Sequence, residues 1–208
     1  MTFGFLVYPG VEELDFQGPW EIVGMWHKYA GGPKPVLVSR NLEPVSCAHG
    51  MRVLPDRSFS GQAELALTHL LVPGGFAAFD EMKRPELTDF VRRTFDAGAD
   101  LLSVCSGSFI LQAAGILEGR KASTNWKAIE PLRQLGVEVV EERYTQDGPV
   151  WTSAGVSAGI DMLLAYIAAV QGENVASTVQ LHAEYFPEAR VYGEARKAQP
   201  VAAYMQRL

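Results

Sequence analysis

The segment LLSVCSGSFILQAAG, residues 101–115, decides the fold. Its apolar start predicts a buried strand that ends at Cys105, and the residues from Ser106 onward predict a helix. A strand-to-helix turn this tight holds the residue at its apex in a strained backbone conformation and tolerates only small neighbours. Ser103 and Gly107, two residues to either side of the cysteine, are both small. We therefore predict a nucleophile elbow with Cys105 at its apex.

The predicted elbow places the Cys105 thiol at the N-terminus of a helix. Unpaired backbone N–H groups and the positive end of the helix dipole favour a thiolate there, and the thiolate is the nucleophilic form of cysteine. We therefore expect an exposed, largely ionised sulfur, with the same N–H groups available to an oxyanion. The alternative is an ordinary buried core cysteine.

Outward from the elbow, predicted strands alternate with predicted helices. The strands are expected at 3–8, 35–39, 69–72, 100–104, 121–123, 137–141 and 149–153, the helices at 14–29, 85–97, 106–117, 126–135, 157–169 and 173–185, and a short hairpin with a loop within 41–66. Such alternation predicts an α/β domain with a mostly parallel sheet and helices on both faces. We expect this domain to span residues 1–188, followed by a tail or arm at 189–208.

Two further candidates follow other predicted strands. The active site of a parallel sheet lies at the carboxyl ends of its strands, which is where Asp15 and Gly75 fall. A carboxyl beside a thiolate is disfavoured as an anion, so Asp15 is predicted to hold a proton near neutral pH and to act as general acid and then base. Capping of the first helix is the alternative role. Gly74 and Gly75, the last two residues of LLVPGG (70–75), are expected to leave backbone N–H groups bare, and Gly75 is predicted as a second oxyanion donor, with a plain turn as the alternative.

Composition excludes several classes of function. The chain has 208 residues, a net charge of −6 and a pI of about 5.3, and its basic residues are scattered, which argues against a nucleic-acid partner. The N-terminal apolar run is stopped by Pro9 and Gly10, so it does not resemble a signal peptide, and no stretch is long enough to span a membrane. Two cysteines, Cys47 and Cys105, are too few for a disulfide framework. We expect free thiols and a cytoplasmic protein.

No cofactor or metal motif is present in the sequence. There is no cysteine, histidine and acidic cluster at ligand spacing, and there is no glycine-rich nucleotide-binding pattern. None of the four histidines follows a predicted strand end, so no spacing supports a cysteine–histidine pair. The expected partner is therefore a small-molecule substrate, with no cofactor and no metal.

Four segments together resemble the DJ-1/PfpI superfamily. VCSGSFILQAAGILEGRKASTNW (104–126) is similar to its cysteine-elbow region, LDFQGPWEI (14–22) to its first helix, LLVPGG (70–75) to its oxyanion strand, and WTSAGVSAGIDMLL (151–164) to its late glycine-rich helix start. The segments occur in the expected order, and the resemblance covers residues 2–186. It implies a flavodoxin-like three-layer α/β/α sandwich.

Within that superfamily the segments are most similar to those of isocyanide hydratases, which convert R–N≡C to an N-substituted formamide without a cofactor. This resemblance implies that Cys105 attacks the terminal carbon to form a thioimidate and that Asp15 supplies and recovers protons. It also implies that Ser106 supports the site beside the nucleophile, and that Val156 and Ser157, in a helix segment packed near the cysteine, contribute to substrate binding. Members of this kind are commonly homodimers.

Two positions depart from the pattern of the resembling proteins. Asn125, before Trp126, replaces a usual histidine; we expect both residues to contribute to substrate binding. Asp15 stands where many members carry glutamate, and aspartate is the choice of the hydratases. Two alternatives stay open: a glyoxalase-like or deglycase-like enzyme acting on 2-oxoaldehydes, and a redox or ligand sensor based on Cys105.

Overall fold

A computed structural model gives the structure of the protein and describes residues 1–60, 65–187, 192 and 199–206. The strands are β1 (Thr2–Leu6), β2 (Lys34–Ser39), β3 (Val45–Ser46), β4 (Arg52–Val53), β5 (Arg57–Ser58), β6 (His69–Val72), β7 (Asp100–Val104), β8 (Lys121–Ala122), β9 (Glu138–Val139), β10 (Tyr144–Asp147) and β11 (Val150–Ser153). The helices are α1 (Glu13–Ala30), α2 (Ala78–Glu81), α3 (Pro85–Asp96), α4 (Gly107–Ala113), α5 (Ile129–Gln134), α6 (Ala158–Gln171), α7 (Glu173–His182) and α8 (Ala203–Gln206), with a 3-10 turn at Trp126–Ala128.

The central sheet has seven strands in the spatial order β10-β11-β7-β6-β1-β2-β5. Every neighbouring pair is parallel except β10 with β11. The core strands β2-β1-β6-β7-β11 follow the 2-1-3-4-5 order of flavodoxin-like sheets, whose ligands bind where the strand order reverses. Here that point lies between β1 and β6. The predicted flavodoxin-like α/β fold with a mostly parallel sheet is confirmed.

Helices cover the sheet as two groups. Helices α1, α6 and α7 pack on one another, and α4 packs on α2 and α3. Because helices shield both faces, β6 and β11 are buried along their whole length, and apart from His69 they consist of apolar or small residues. Strand β7 is buried at all but its first residue, and it delivers the chain directly to Cys105.

Several element boundaries differ from those predicted. The expected hairpin is present as β3 and β4, but the predicted strands at 121–123 and 137–141 pair only with each other, outside the central sheet. The helix predicted at 126–135 is divided into the 3-10 turn and α5. Pro131 has no N–H to donate to the carbonyl of residue 127, so a continuous α-helix cannot cross this point with all its bonds.

The C-terminal segment returns to the domain. The predicted boundary at residue 188 lies outside the described residues, but α8 lies within the segment that was expected to be a tail or arm. Across the described ranges, no helix combines the length and apolar character needed to cross a membrane.

Candidate active site

Cys105 occupies the apex of the elbow in a left-handed backbone conformation, with a φ of 59°. This conformation is uncommon for a residue other than glycine, and hydrogen bonds on both sides hold it in place. The Cys105 N–H is shared between the carbonyls of Ser153, at 3.2 Å, and Ala154, at 3.1 Å. The Cys105 carbonyl accepts hydrogen bonds from the hydroxyls of Thr124, at 2.9 Å, and Ser108, at 3.2 Å. The predicted nucleophile elbow is therefore present.

The elbow sits tightly against the end of β6. A Cβ added to Gly107 would lie 2.1 Å from the Val72 carbonyl oxygen, and one added to Gly74 would lie 2.5 Å from the Ser106 nitrogen. Neither position can hold a side chain without displacing backbone. The two glycines thus bring the loop after β6 to the nucleophile.

Cys105 opens onto a pocket of about 390 Å³ at the carboxyl edge of the sheet. The aromatic part of its lining is formed by Phe76, Phe79 and Trp126, with Pro131 and Ala128 beside them. Its polar lining comes from the side chains of Glu12, Ser106, Asn125 and Lys127. An apolar pocket with a few convergent polar groups around a cysteine is the usual form of a small-molecule site.

The structure brings most of the predicted site residues to this pocket. Cys105, Gly75, Ser106, Asn125, Trp126 and Val156 all line it. Asp15 lies beneath its floor with no exposed surface. Ser157 is the exception, because its hydroxyl accepts a hydrogen bond from Arg143 at 3.1 Å and it does not line the pocket. The predicted contribution of Ser157 to substrate binding stays a prediction, and in this structure its hydroxyl is engaged by Arg143.

The Asp15 carboxyl is buried beside the thiol rather than used as a helix cap. Asp15 lies inside α1, whose N-cap residue is Glu12, and its Oδ2 accepts the Gly74 N–H at 2.8 Å. Burial raises the pKa of Asp15 to about 7, against the opposing effects of the N–H groups of Gly74 and Val156 and of the Cys105 thiol. Oδ1 has no hydrogen-bond partner among the described residues, which leaves it open to a proton.

The Cys105 sulfur differs from the exposed, ionised sulfur that was predicted. The residue is only 8% exposed. Burial, and next the charge of Asp15, raise the pKa of the Cys105 thiol to about 12, although Ser106 and Asn125 act in the opposite direction. Desolvation therefore outweighs the helix N-terminus, and the resting form is a thiol. The sulfur nonetheless faces a pocket that can hold a ligand, so it is not an ordinary core cysteine.

The prediction of a bare Gly75 N–H is wrong, because this N–H is already hydrogen-bonded; its role as an oxyanion donor stays a prediction. The N–H donates to the Ser106 hydroxyl oxygen at 3.0 Å, and the same hydroxyl donates to the Gly75 carbonyl at 2.9 Å. Gly75 has a φ of 113°, a conformation that favours glycine. This reciprocal pair fixes the orientation of Ser106, whose N–H and hydroxyl both lower the pKa of Cys105.

Asn125 and Val156 approach the reacting groups from the other side. The Asn125 side chain bonds to Cys105 and lowers the pKa of its thiol, while Asn125 Oδ1 accepts the Lys127 N–H at 3.0 Å. A Cβ at Gly155 would lie 2.5 Å from Asn125 Nδ2, so only glycine leaves room for this side chain. Val156 has a φ of 52°, which is strained for a β-branched residue, and directs its N–H toward Asp15.

None of the four histidines acts on the Cys105 thiol. His69 is buried in the core, stacked on Phe3, and burial lowers the pKa of its imidazole to about 4. His27 bonds to the Gly32 carbonyl, and His182 stacks on a tyrosine of α1. This agrees with the sequence, in which no spacing supports a cysteine–histidine pair.

The fourth histidine belongs to a polar cluster at the pocket rim. Ligand atoms of Glu12, Glu13 and His49 lie within 4.8 Å of one another. The His49 backbone N–H donates to Glu13 at 2.7 Å, and its ring nitrogen bonds to Glu12 at 3.0 Å. These three are the residues in the described ranges that could hold a cation, but the bonds among them already account for the grouping.

The sequence predicted only a bare N–H at Gly74, whereas in the structure this N–H holds the Asp15 carboxyl. Sequence reasoning missed three other residues of the site. Phe76 and Phe79 form the apolar wall, and a close reading of GGFAAF as a turn leading into α2 could have found them. Thr124 bonds to the Cys105 carbonyl from a loop 19 residues further along the chain, a contact without a sequence signal.

The fold and the site together define a flavodoxin-like α/β protein with an elbow cysteine paired to a buried carboxyl. The sequence matches the DJ-1/PfpI family over residues 2–169. The chain belongs to the DJ-1/PfpI family.

Relatives within the family differ in their recorded activities. The chain is 33% identical over 187 residues to an isonitrile hydratase of Pseudomonas putida, which covers 90% of this chain and 79% of that protein. It is 31% identical to the HTH-type transcriptional regulator CdhR of Pseudomonas aeruginosa, over 85% of this chain but only 53% of the regulator. The crystal structure of a THiJ/PfpI family protein from Pseudomonas syringae superposes with a TM-score of 0.85 at 32% identity, covering 94% of this chain and 79% of that one.

Proposed function

We propose that this protein is an isocyanide hydratase that converts R–N≡C and water to R–NH–CHO, with Cys105 as the nucleophile. The observation that carries the proposal is the Asp15–Cys105 pair. Both groups are shielded from solvent, and both have raised pKa values. A thiol and a carboxyl that share a site near neutral pH form a nucleophile with its own proton carrier.

The first half of the cycle needs one proton transfer and one new bond. In the productive form the pair holds one proton, and the Asp15 carboxylate accepts it from the thiol. The sulfur attacks the terminal carbon of the isocyanide as Asp15 returns the proton to that carbon. The product is the thioimidate R–N=CH–S–Cys105. Asp15 Oδ1 fits this role because it has no hydrogen-bond donor among the described residues to compete with the thiol proton.

The second half consumes water and releases the cysteine. Asp15 accepts a proton from water while the oxygen adds to the thioimidate carbon, and it passes that proton to the nitrogen. The carbon–sulfur bond then breaks as the carbonyl forms, and the hydroxyl proton returns to the pair. The formamide leaves, and Cys105 is regenerated as a thiol. Cys105, Asp15, substrate and water account for every atom of the cycle.

The remaining pocket groups hold the reacting atoms. Ser106 and Asn125 stabilise negative charge on sulfur, as their effect on the pKa of Cys105 indicates. The Val156 N–H and the Gly74 N–H orient the carboxyl. The apolar wall suits a hydrocarbon substituent on the isocyanide nitrogen, and Trp126 lies in that wall. Burial of such a substituent supplies binding energy without any charge.

Two other functions fit the same site less well. Sensing by oxidation requires an exposed, low-pKa cysteine, whereas Cys105 is buried with a raised pKa. A glyoxalase-like reaction on 2-oxoaldehydes uses small polar substrates, and the aromatic wall of the pocket offers them few hydrogen-bonding groups. Parallel assays with an aromatic isocyanide and with methylglyoxal separate the two enzymatic functions: formamide without lactate supports the hydratase, and lactate alone contradicts it.

We further propose a cytoplasmic homodimer. Both cysteines are free thiols, which suits a reducing compartment. Phe76, at the rim of the pocket, is 93% exposed in the single chain, and an aromatic of this size is typical of a surface covered by another subunit. Light scattering during gel filtration tests the dimer; a mass near 22.7 kDa at micromolar concentration contradicts it.

A further inference from the structure

The loop between β3 and β4 is docked against the segment that leads into α1. The Gly10 N–H donates to the Ser46 carbonyl at 2.8 Å, and the Ala48 N–H donates to the Val11 carbonyl at 2.9 Å. His49 follows directly in this loop. Its backbone is thereby fixed relative to the start of α1, although the two are far apart in the sequence.

Two adjacent carboxylates, those of Glu12 and Glu13, meet the His49 side chain at this junction. Glu12 Oε1 lies 3.0 Å from His49 Nε2, and one donor atom from each of the three residues lies within 4.8 Å of the other two. Donors around a tetrahedral zinc ion are about 3.3 Å apart, because the bonds to the metal are about 2.0–2.2 Å long. The side chains of His49 and Glu12 are 72% and 22% exposed. Small movements of these two side chains therefore close the set around one ion.

One oxygen of Glu13 is buried without a partner. Glu13 is only 9% exposed. Its Oε1 accepts the His49 backbone N–H at 2.7 Å, whereas its Oε2 has no hydrogen-bond partner among the described residues. The helix dipole favours an acidic residue at the start of α1, but it gives Oε2 no bond. A buried carboxylate oxygen without a partner costs free energy, and a cation held by the same carboxylate removes that cost.

The donor set selects the class of cation. An imidazole nitrogen with two carboxylates suits Zn²⁺ and the neighbouring transition metals, whereas Mg²⁺ and Ca²⁺ prefer oxygen donors alone. The two carboxylates neutralise the charge of a divalent ion. Three protein ligands leave the fourth position of a tetrahedral ion to water.

We propose that Glu12, Glu13 and His49 form a binding site for a divalent transition-metal ion of the zinc class. Glu12 also lines the Cys105 pocket, which places the ion at the rim of that pocket. The ion replaces the proton between Glu12 and the His49 ring, and that proton passes to solvent. The sequence predicted no metal because His49 lies 36 residues from Glu13, and no ligand spacing marks the site.

Calorimetric titration of Zn²⁺ into the metal-free, full-length protein tests the site without any substrate. Wild type should bind one Zn²⁺ per chain at this site. His49→Ala removes the ring and keeps the backbone N–H that bonds to Glu13, so the fold should persist. Its affinity for Zn²⁺ should fall by about 100-fold or more, because even changes behind the ligands cost about 10- to 100-fold. The matched control is His182→Ala, which removes a histidine that stacks on Tyr29 and should bind Zn²⁺ as wild type does.

Glu13→Gln removes a carboxylate and keeps both the size of the side chain and an acceptor for the His49 N–H. It should weaken Zn²⁺ binding as strongly as His49→Ala does. Glu173→Gln is its matched control, since Glu173 is the exposed first residue of α7, and it should leave the affinity unchanged. Circular dichroism checks that the variants are folded, and His49→Ala alone decides the matter if Glu13→Gln does not fold.

Co²⁺ separates this site from metal bound by the thiols of Cys47 and Cys105. One equivalent of Co²⁺ should give visible bands of nitrogen and oxygen ligands without the near-ultraviolet charge-transfer band of a thiolate. Such a thiolate band, no binding of Zn²⁺ by wild type, or wild-type affinity in His49→Ala would overturn the site. Displacement of Zn²⁺ by an equal concentration of Mg²⁺ would overturn the class of ion. None of these results depends on turnover, so failure of the proposed hydratase function leaves the test of the metal site intact.

Discussion

The Asp15 carboxyl and the Cys105 thiol lie side by side in a buried site, and each changes the proton affinity of the other. The charge of Asp15 raises the pKa of the thiol, and the thiol lowers that of the carboxyl. Both pKa values nonetheless lie above their usual ranges, because burial is the largest effect on each. The pair therefore holds one proton over a wide pH range above about 7.

Removal of the Asp15 charge should make the Cys105 thiol easier to alkylate while it slows hydration. In Asp15→Asn the thiol no longer faces a negative group, so its pKa should fall and its alkylation by iodoacetamide should extend to lower pH. Hydration should nevertheless decrease by about 100-fold or more, because the proton carrier is lost. Rates of alkylation and of formamide release against pH measure both effects. Asp89→Asn, at an exposed position on α3, is the control; unchanged hydration in Asp15→Asn would remove Asp15 from the mechanism.

Turnover by the wild type should depend on pH through the same pair. At low pH both groups are protonated, and no carboxylate is present to accept the thiol proton. Because burial raises the pKa of Asp15 to about 7, kcat/KM should rise with pH through about 7 and then level off. A series of kcat/KM values from pH 5 to pH 9 checks this. A rate that falls across this range would contradict the assignment of protons.

Burial of Asp15 should also reduce stability at high pH. Its pKa is raised from 3.8 to about 7 in the folded state, so the folded protein binds more protons than the unfolded chain between those values. The stabilisation that comes from protonating Asp15 in the folded state is complete below pH 4, and it is lost as the pH rises through 7. Asp15→Asn should therefore unfold with a higher free energy than wild type at pH 8, by up to about 4 kcal/mol. Urea unfolding of both proteins at pH 4 and pH 8 measures this. If the variant and wild type differed in unfolding free energy by the same amount at both pH values, the prediction would be contradicted.

The close approach at the elbow should make Gly107 intolerant of substitution. A Cβ there would lie 2.1 Å from the Val72 carbonyl oxygen, so backbone must move. We expect Gly107→Ala to lose about 3 kcal/mol of unfolding free energy. The displaced elbow should also change the rate at which iodoacetamide alkylates Cys105. Gly24→Ala is the matched control, because nothing lies within 4 Å of its added Cβ, and in the middle of α1 it should stabilise by about 0.5–1 kcal/mol. Equal stability of the two variants would show that the elbow is not tightly packed.

The parts of the fold with strong local signals could be predicted from the sequence. Apolar runs bounded by glycine and proline gave the core strands and the elbow at Cys105. The position of Asp15 followed because the carboxyl ends of parallel strands meet at one edge. The short strands β5 and β10 and the short helix α2 have no such signal. The two strands exist because β2 and β11 offer them hydrogen bonds, and α2 exists because it buries Ala78 and Glu81.

The details of the site depend on burial and on long-range contacts, which spacing does not report. The thiol was predicted as a thiolate because the helix N-terminus is visible in the sequence, whereas the desolvation that raises its pKa is not. The Gly75 N–H was predicted as an oxyanion donor because its pairing with Ser106, 31 residues away, cannot be read from the sequence.

Asn125 should affect the sulfur directly, since its side chain lowers the pKa of the Cys105 thiol. In Asn125→Ala we expect that pKa to rise, alkylation of Cys105 to slow at fixed pH, and KM for an isocyanide to increase several-fold. Asn174→Ala, at an exposed position on α7, controls for loss of an asparagine. Alkylation at the wild-type rate in Asn125→Ala would show that the amide does not act on the sulfur.

The most direct test of the central claim is formamide production from phenyl isocyanide by the purified protein, followed by liquid chromatography. Wild type and Cys47→Ala, which removes the other free cysteine, should both convert the substrate to N-phenylformamide. Cys105→Ala should show no turnover above the uncatalysed rate. Formamide release by Cys105→Ala at the wild-type rate would contradict the account.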